Sequence, residues 1–166
     1  MIFKRVKPKD YNLQFTDLTP RDDTSRVVIH HTGNPTDDDL SAEQLHRSHL
    51  NLGWAGVGYH FIVRKDGSIE LGRPVECVGA HAEGFNYCSI GIHVCGNFNI
   101  GEPTEAQINA LPMLIADICD AYGLIASDSI VMGHRDLMAT ACPGDNLYKH
   151  LDEIRGNAEW YRNHKK

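Results

Sequence analysis

Arg26-Val27-Val28-Ile29-His30-His31 is the run from which the rest of the chain is read. Successive β-branched residues favour a buried strand, because branching at Cβ stiffens χ1 and packs well on a pleated surface. Neighbouring strand side chains point to opposite faces, so only one of the two terminal histidines can serve a given metal. Spacing alone does not choose between them. Gly33-Asn34-Pro35 stops the strand, and Thr36 or Asp37 can cap a helix reaching to about Leu52. The acids Asp37-Asp38-Asp39 read as a solvated face favoured by the dipole at that helix start.

Working outward, Tyr59-His60-Phe61-Ile62-Val63 and Ser68-Ile69-Glu70-Leu71 flank Asp66-Gly67, a hairpin signal. Ser89-Ile90-Gly91-Ile92-His93-Val94-Cys95 is a further strand. Thr104 with Gln107 forms a capping box opening a helix whose apolar positions Ile108, Leu111, Leu114, Ile115 and Ile118 follow helical spacing to near Gly123. Pro112 predicts a kink within it. Ser129 to Met132 reads as a last strand and Asn146 to about Arg162 as a last helix. The expected fold is a single α/β domain, residues 26–166, with a central mixed β-sheet flanked by about three main helices; residues 1–25, polar and irregular, form an arm wrapped over it.

A chain of 166 residues, 42% hydrophobic and 23% charged, is ordinary for one globular domain with a real core. Its net charge of -6, with no long basic run, argues against a nucleic-acid partner. The small basic clusters, Lys4 to Lys9 and His164-Lys165-Lys166, read as solvated ends. No apolar run approaches the roughly 18 residues that span a bilayer. Met1-Ile2-Phe3-Lys4-Arg5-Val6 carries no apolar h-region, so synthesis in the cytoplasm without a secretory signal is expected. Five cysteines, an odd count without a Cys-x-x-Cys pair, fit a reduced compartment rather than a disulfide framework. Other than Cys142, they are expected as buried small apolar residues. Nothing suggests more than a monomer.

Three distant stretches could meet at one metal: Val28-Ile29-His30-His31-Thr32, Gly133-His134-Arg135-Asp136 and Thr140-Ala141-Cys142-Pro143-Gly144. Two imidazoles and a thiolate are a three-ligand zinc set with one position left for water, the pattern of catalytic rather than structural zinc. Zinc lowers the pKa of such a water to about 7, which points to a zinc hydrolase. His46 and His49, three apart on the first helix, share a face, but no carboxylate or cysteine completes a second site, and they read as surface or packing residues.

Taken in order, His30-His31-Thr32, Gly53-Trp54, Gly58-Tyr59-His60-Phe61, Gly79-Ala80-His81, Ser89-Ile90-Gly91-Ile92, Gly133-His134-Arg135-Asp136 and Cys142-Pro143-Gly144 resemble the type 2 N-acetylmuramoyl-L-alanine amidases, a family that includes short phage endolysins and the peptidoglycan recognition proteins. The resemblance covers roughly residues 25 to 155. It implies Zn2+ held by His30, His134 and Cys142, and hydrolysis of the amide between N-acetylmuramic acid and L-alanine in peptidoglycan. It also implies Tyr59 as catalytic tyrosine, Thr140 as a donor to the oxyanion, and His81 and Asn86 as groove residues. Thr140 stands where many phage amidases of the family carry lysine and many catalytic recognition proteins carry threonine; it can donate but supplies no positive charge. His93 stands where some members carry a glutamate base; an imidazole of ordinary pKa near 6.5 suits that task, and a neighbour-satisfied strand histidine is the plain reading beside it. Origin as a phage or prophage endolysin or a bacterial autolysin acting on the wall is expected. The alternative is a non-catalytic recognition module, in which the cysteine ligand is commonly replaced; here it is present.

Overall fold

The computed structural model describes residues 1–33 and 35–164. Asn34, in the expected break after the first strand, and Lys165 and Lys166 of the terminal basic cluster lie outside the described residues. The first strand, β1, is Arg26–His31, followed by helix α1 (Ala42–Asn51), the hairpin β2 (Phe61–Val63) and β3 (Ile69–Leu71), and β4 (Ser89–Val94). Helix α2 (Glu105–Tyr122), β5 (Val131–Gly133), the single turn α3 (Asp145–Tyr148) and α4 (Leu151–Asn163) complete the chain. The five strands form one mixed sheet in the order β3-β2-β4-β1-β5, in which only β3 is antiparallel to its neighbour. The domain is α/β, as the residue patterns indicate.

Alternation along the strands divides the sheet into two faces. Val27 and Ile29 of β1, with Ile90, Ile92 and Val94 of β4, join Leu111, Leu114 and Ile118 of α2 and Ile154 of α4 in the main core. The opposite face of β4 carries Ser89, Gly91 and His93, and beyond them Cys95 packs with Ile62 and with Ala42 and Leu45 of α1. His30 faces this second side and His31 the first, where Phe98 stacks on it. Register then fixes the site. In the parallel pairing of β1 with β5, Ile29 lies opposite Gly133, so His30 and His134 leave the sheet side by side at the carboxyl ends of their strands. Ligands of open α/β sheets bind at this end.

Several boundaries differ from expectation. Helix α1 starts at Ala42 because Ser41 and Gln44 form its capping box, whereas Asp37 accepts from the Asn97 amide and pairs with Lys65, and Asp39 accepts from Arg64. Those acids bridge loops instead of starting a helix. The Thr104–Gln107 box and the left-handed Gly123 end of α2 are as expected, and the helix continues through Pro112. Strand β5 begins at Val131, since the Ser127 carbonyl takes the amides of Ile130 and Val131 into a turn. The last helix is broken at residues 149–150, where the His150 amide donates to Leu147, three residues back, instead of four. Cys88, Cys95 and Cys119 are buried, whereas Cys77 is only half-buried. No described helix is long and apolar enough to cross a membrane.

The segment before β1 is tied down by a buried carboxylate. Asp117 of α2 accepts from the amides of Lys4, Arg5 and Val6 through Oδ2 and from Arg5 Nη1 at 2.8 Å through Oδ1. Asp117→Asn keeps one acceptor but loses one of the two ionic partners of Arg5, the other being Asp120, so unfolding free energy is expected to fall by about 1–3 kcal/mol in urea denaturation. An unchanged midpoint would show that the contact contributes nothing.

Candidate metal centre and cleft

His30 is the penultimate residue of β1, His134 opens the 3-10 turn His134–Asp136 directly after β5, and Cys142 returns to them on the following loop. That loop is held by its own backbone and by Arg135: the Arg135 amide donates to the Cys142 carbonyl at 2.9 Å, Nη2 to the Ala141 carbonyl, and Nη1 pairs with Asp145. Gly133 donates to Asp136 at 2.9 Å, fixing where His134 leaves the sheet. The result brings one ligand atom each from His30, His134 and Cys142 within 4.8 Å of one another. His30 Nδ1 lies 3.6 Å from Cys142 Sγ. A nitrogen and a sulfur bound tetrahedrally at about 2.0–2.1 and 2.3 Å from zinc would themselves sit about 3.6 Å apart, so this donor set fits that ion.

Burial, then the neighbouring His81 and His134, holds His30 well below the usual imidazole pKa, and burial also lowers His134. Both are therefore neutral, as ligands must be. Burial pushes the Cys142 thiol up to about 11, against the pull of the His31 amide, which donates to Sγ at 3.4 Å, and of Arg135. A metal entering here displaces that proton.

The three residues line an open cleft of about 330 Å³, together with Tyr59, His81, Thr140 and Asn99. A second cavity, of about 410 Å³, between the N-terminal segment and residues 71–76, contains none of the three. Tyr59 packs against His30 at 5.1 Å between ring centroids and against His93 at 4.8 Å. Burial, and then Cys142, raises the Tyr59 pKa, so its hydroxyl stays protonated and can donate. Thr140 Oγ1 accepts from the Cys142 amide at 3.3 Å, which leaves its hydrogen available to the cleft.

The other expected site residues sit further back. His81 lines the cleft, but both its nitrogens are engaged, with His30 Nε2 at 2.9 Å and Ser89 Oγ at 3.3 Å. Asn86 does not line it; Oδ1 accepts from the amides of His81 and Ala82, each at 2.9 Å. His93 is also absent from the lining and almost fully buried. Thr32 Oγ1, which accepts from the Gly96 amide, lies 3.0 Å from His93 Nε2, and Nδ1 faces the Cys95 thiol at 3.9 Å. Burial pushes His93 down to about 3. The structure therefore places this histidine behind Tyr59, with Nε2 engaged by the cleft residue Thr32 and Nδ1 against Cys95, the arrangement of a satisfied strand residue.

Of the surface or packing roles expected for His46 and His49, packing is what the structure shows, with His46 buried and His49 half-buried. Each accepts a backbone amide through Nδ1, from Val57 at 3.0 Å and Gly58 at 2.9 Å. Arg73 donates to the carbonyls of Gly56, Val57 and Val78, completing the support of the segment that carries Tyr59. Sequence reading missed Arg73 and the cleft residue Asn99. Neither lies in a periodic pattern or beside a second chemical group, so no local signal marked them.

A family profile described as N-acetylmuramoyl-L-alanine amidase matches residues 20–145. The chain is 34% identical over 135 residues to the endolysin of Klebsiella phage KP32, covering 78% of this chain and 87% of that protein. It is 39% identical over 142 residues to peptidoglycan-recognition protein SC2 of Drosophila melanogaster, covering 82% and 75% respectively. The solved structure of N-acetylmuramoyl-L-alanine amidase LysC from Clostridium intestinale URNW superposes with a TM-score of 0.82 at 33% identity, over 92% of this chain and 97% of that one.

Proposed function

The chain belongs to the N-acetylmuramoyl-L-alanine amidase family, and from that premise we propose that it is a zinc-dependent hydrolase of the bond between N-acetylmuramic acid and L-alanine in the bacterial cell wall. The observation that carries this reading is the convergence of His30, His134 and Cys142 at the mouth of a cleft, with their ligand atoms within 4.8 Å. When bound, zinc supplies the Lewis acidity that polarises an amide carbonyl and acidifies a water.

The chain's own residues do the rest. His30 and His134 as neutral imidazoles and Cys142 as a thiolate would hold the ion, a three-ligand set of the kind that leaves a position for water or substrate. Tyr59, held protonated, donates its hydroxyl to the oxygen that gains charge at the attacked carbon. Thr140 donates beside it with the hydrogen its amide-bound oxygen leaves free. The general-base role drawn from the resemblance is not given to His93, which does not line the cleft and whose nitrogens are engaged by Thr32 and Cys95.

Thr140→Ala is expected to retain zinc and lose on the order of 10- to 1000-fold in kcat, the usual range for one oxyanion donor. Steady-state kinetics on a soluble muropeptide measure it, and an unchanged rate would remove Thr140 from the mechanism. The reaction itself is tested by labelling new chain ends after digestion of purified peptidoglycan. New alanine amino termini without new reducing sugar ends are expected; reducing ends alone would overturn the amidase assignment. The similarity to recognition protein SC2 supports a second reading, a module that holds peptidoglycan without cutting it. Binding with no new ends of either kind would establish that one.

A further inference from the structure

His81 occupies a niche built for an imidazole ring. A Cβ on Gly91 of β4 would lie 2.5 Å from the His81 ring, and one on Gly79 would lie 2.8 Å from its Cδ2. The bare backbone at 91 lets the ring lie against the sheet, directly behind His30, whose ring it meets edge-on at 5.0 Å between centroids. Asn86 fastens the backbone of His81 from the other side.

The hydrogen positions around this ring follow from its partners. The Ser89 hydroxyl has a single hydrogen, and the Phe85 carbonyl oxygen, 2.7 Å from Ser89 Oγ, can only accept. Ser89 Oγ is therefore left to accept, and the group that faces it at 3.3 Å is the Nε2–H of His81. A neutral His81 protonated at Nε2 has its lone pair on Nδ1, which accepts from His30 Nε2–H at 2.9 Å. His30, neutral as ligation requires, is then left with its lone pair on Nδ1, the nitrogen 3.6 Å from Cys142 Sγ. Each hydrogen bond fixes the direction of the next, and the chain ends at the one atom that must be bare.

We propose that Ser89 and His81 are positioning residues that hold His30 in the tautomer presenting Nδ1 to the metal, through the relay Phe85 carbonyl, Ser89 hydroxyl, His81 imidazole. Without it, His30 is free to carry its hydrogen on Nδ1, a form that cannot ligate through that atom. Partners of this kind alter metal affinity by about 10- to 100-fold. The affinity part of the inference rests on the zinc reading; the tautomer part does not.

Ring-nitrogen NMR of the metal-free, 15N-labelled protein reads the tautomer directly, so it remains decisive even if the amidase reading fails. In the parent protein His30 and His81 are each expected as one Nε2–H form, and in Ser89→Ala, which keeps both rings, a second form of His30 appears. Zinc affinity, measured by competition with a chromophoric chelator, is expected to fall by about 10- to 100-fold in His81→Leu. His81→Asn, whose Oδ1 can accept where Nδ1 did, should recover most of that loss. A single unchanged His30 tautomer in Ser89→Ala would overturn the relay. Equal losses in the leucine and asparagine variants would reduce His81 to packing and overturn it as well.

Discussion

Cys142→Ser is expected to lower zinc affinity and amide hydrolysis together, each on the order of 1000-fold or more, since a bound metal contributes several kcal/mol to such a reaction. The thiolate is the only anionic ligand in the cluster, and its removal leaves two neutral imidazoles. A serine hydroxyl is a poorer ligand because it does not ionise near neutral pH, and its shorter bond draws the oxygen back from the position of the sulfur. The substitution is mild for the fold. Cys142 Sγ accepts from the His31 amide, and a serine oxygen can still take that hydrogen bond. Metal content after dialysis, kinetics on a muropeptide and circular dichroism separate the effects. Near-parent activity with zinc retained would remove Cys142 from the ligand set.

Acid is expected to weaken the metal-free protein strongly, through histidines the chemistry does not use. Burial pushes His60 and His93 each down to about 3. His60 accepts the Gly91 amide at Nδ1 and donates from Nε2 to the Cys77 carbonyl, so a second proton has no place. In the unfolded chain both titrate near 6.5. Between these values the unfolded state binds more protons than the folded one, so stability is complete above about pH 6.5 and falls as pH drops towards 3. At pH 5 each histidine accounts for about 2 kcal/mol, and the pair for about 4 kcal/mol, relative to pH 7. Carboxylates titrate mostly below this window, which isolates the imidazole contribution. Urea denaturation at pH 7 and pH 5 is expected to show at least this loss, since burial also lowers His30, His31, His49 and His81, and equal stabilities would show that these rings are not neutral by necessity.

The two-faced pattern of Ser89 to Cys95 was legible because a period of two survives any tertiary context: apolar residues at 90, 92 and 94 enter the core, and small or polar ones at 89, 91, 93 and 95 face the other side. The capping box at Thr104 was equally plain, being a local hydrogen-bond motif. The choice between His30 and His31 was not local. It depends on which face carries α2 and α4, and on the register that sets Ile29 against Gly133. Resemblance supplied that choice from the residues, and the geometry gathers the same three side chains. His93 stayed ambiguous because its outcome turns on Thr32, Cys95 and Tyr59, which meet only in three dimensions. The start of α1 was misplaced because Asp37 and Asp39 have capping chemistry but distant partners in Asn97, Lys65 and Arg64.

The central claim, zinc-dependent cleavage of the amide that joins glycan to stem peptide, is tested most directly by mass spectrometry of purified peptidoglycan digested with the protein, before and after chelation. Free stem peptides beginning at L-alanine beside intact glycan chains, lost with chelator and restored by zinc, are the expected result. Undigested wall that still retains the protein, or glycan fragments with their peptides attached, would contradict it.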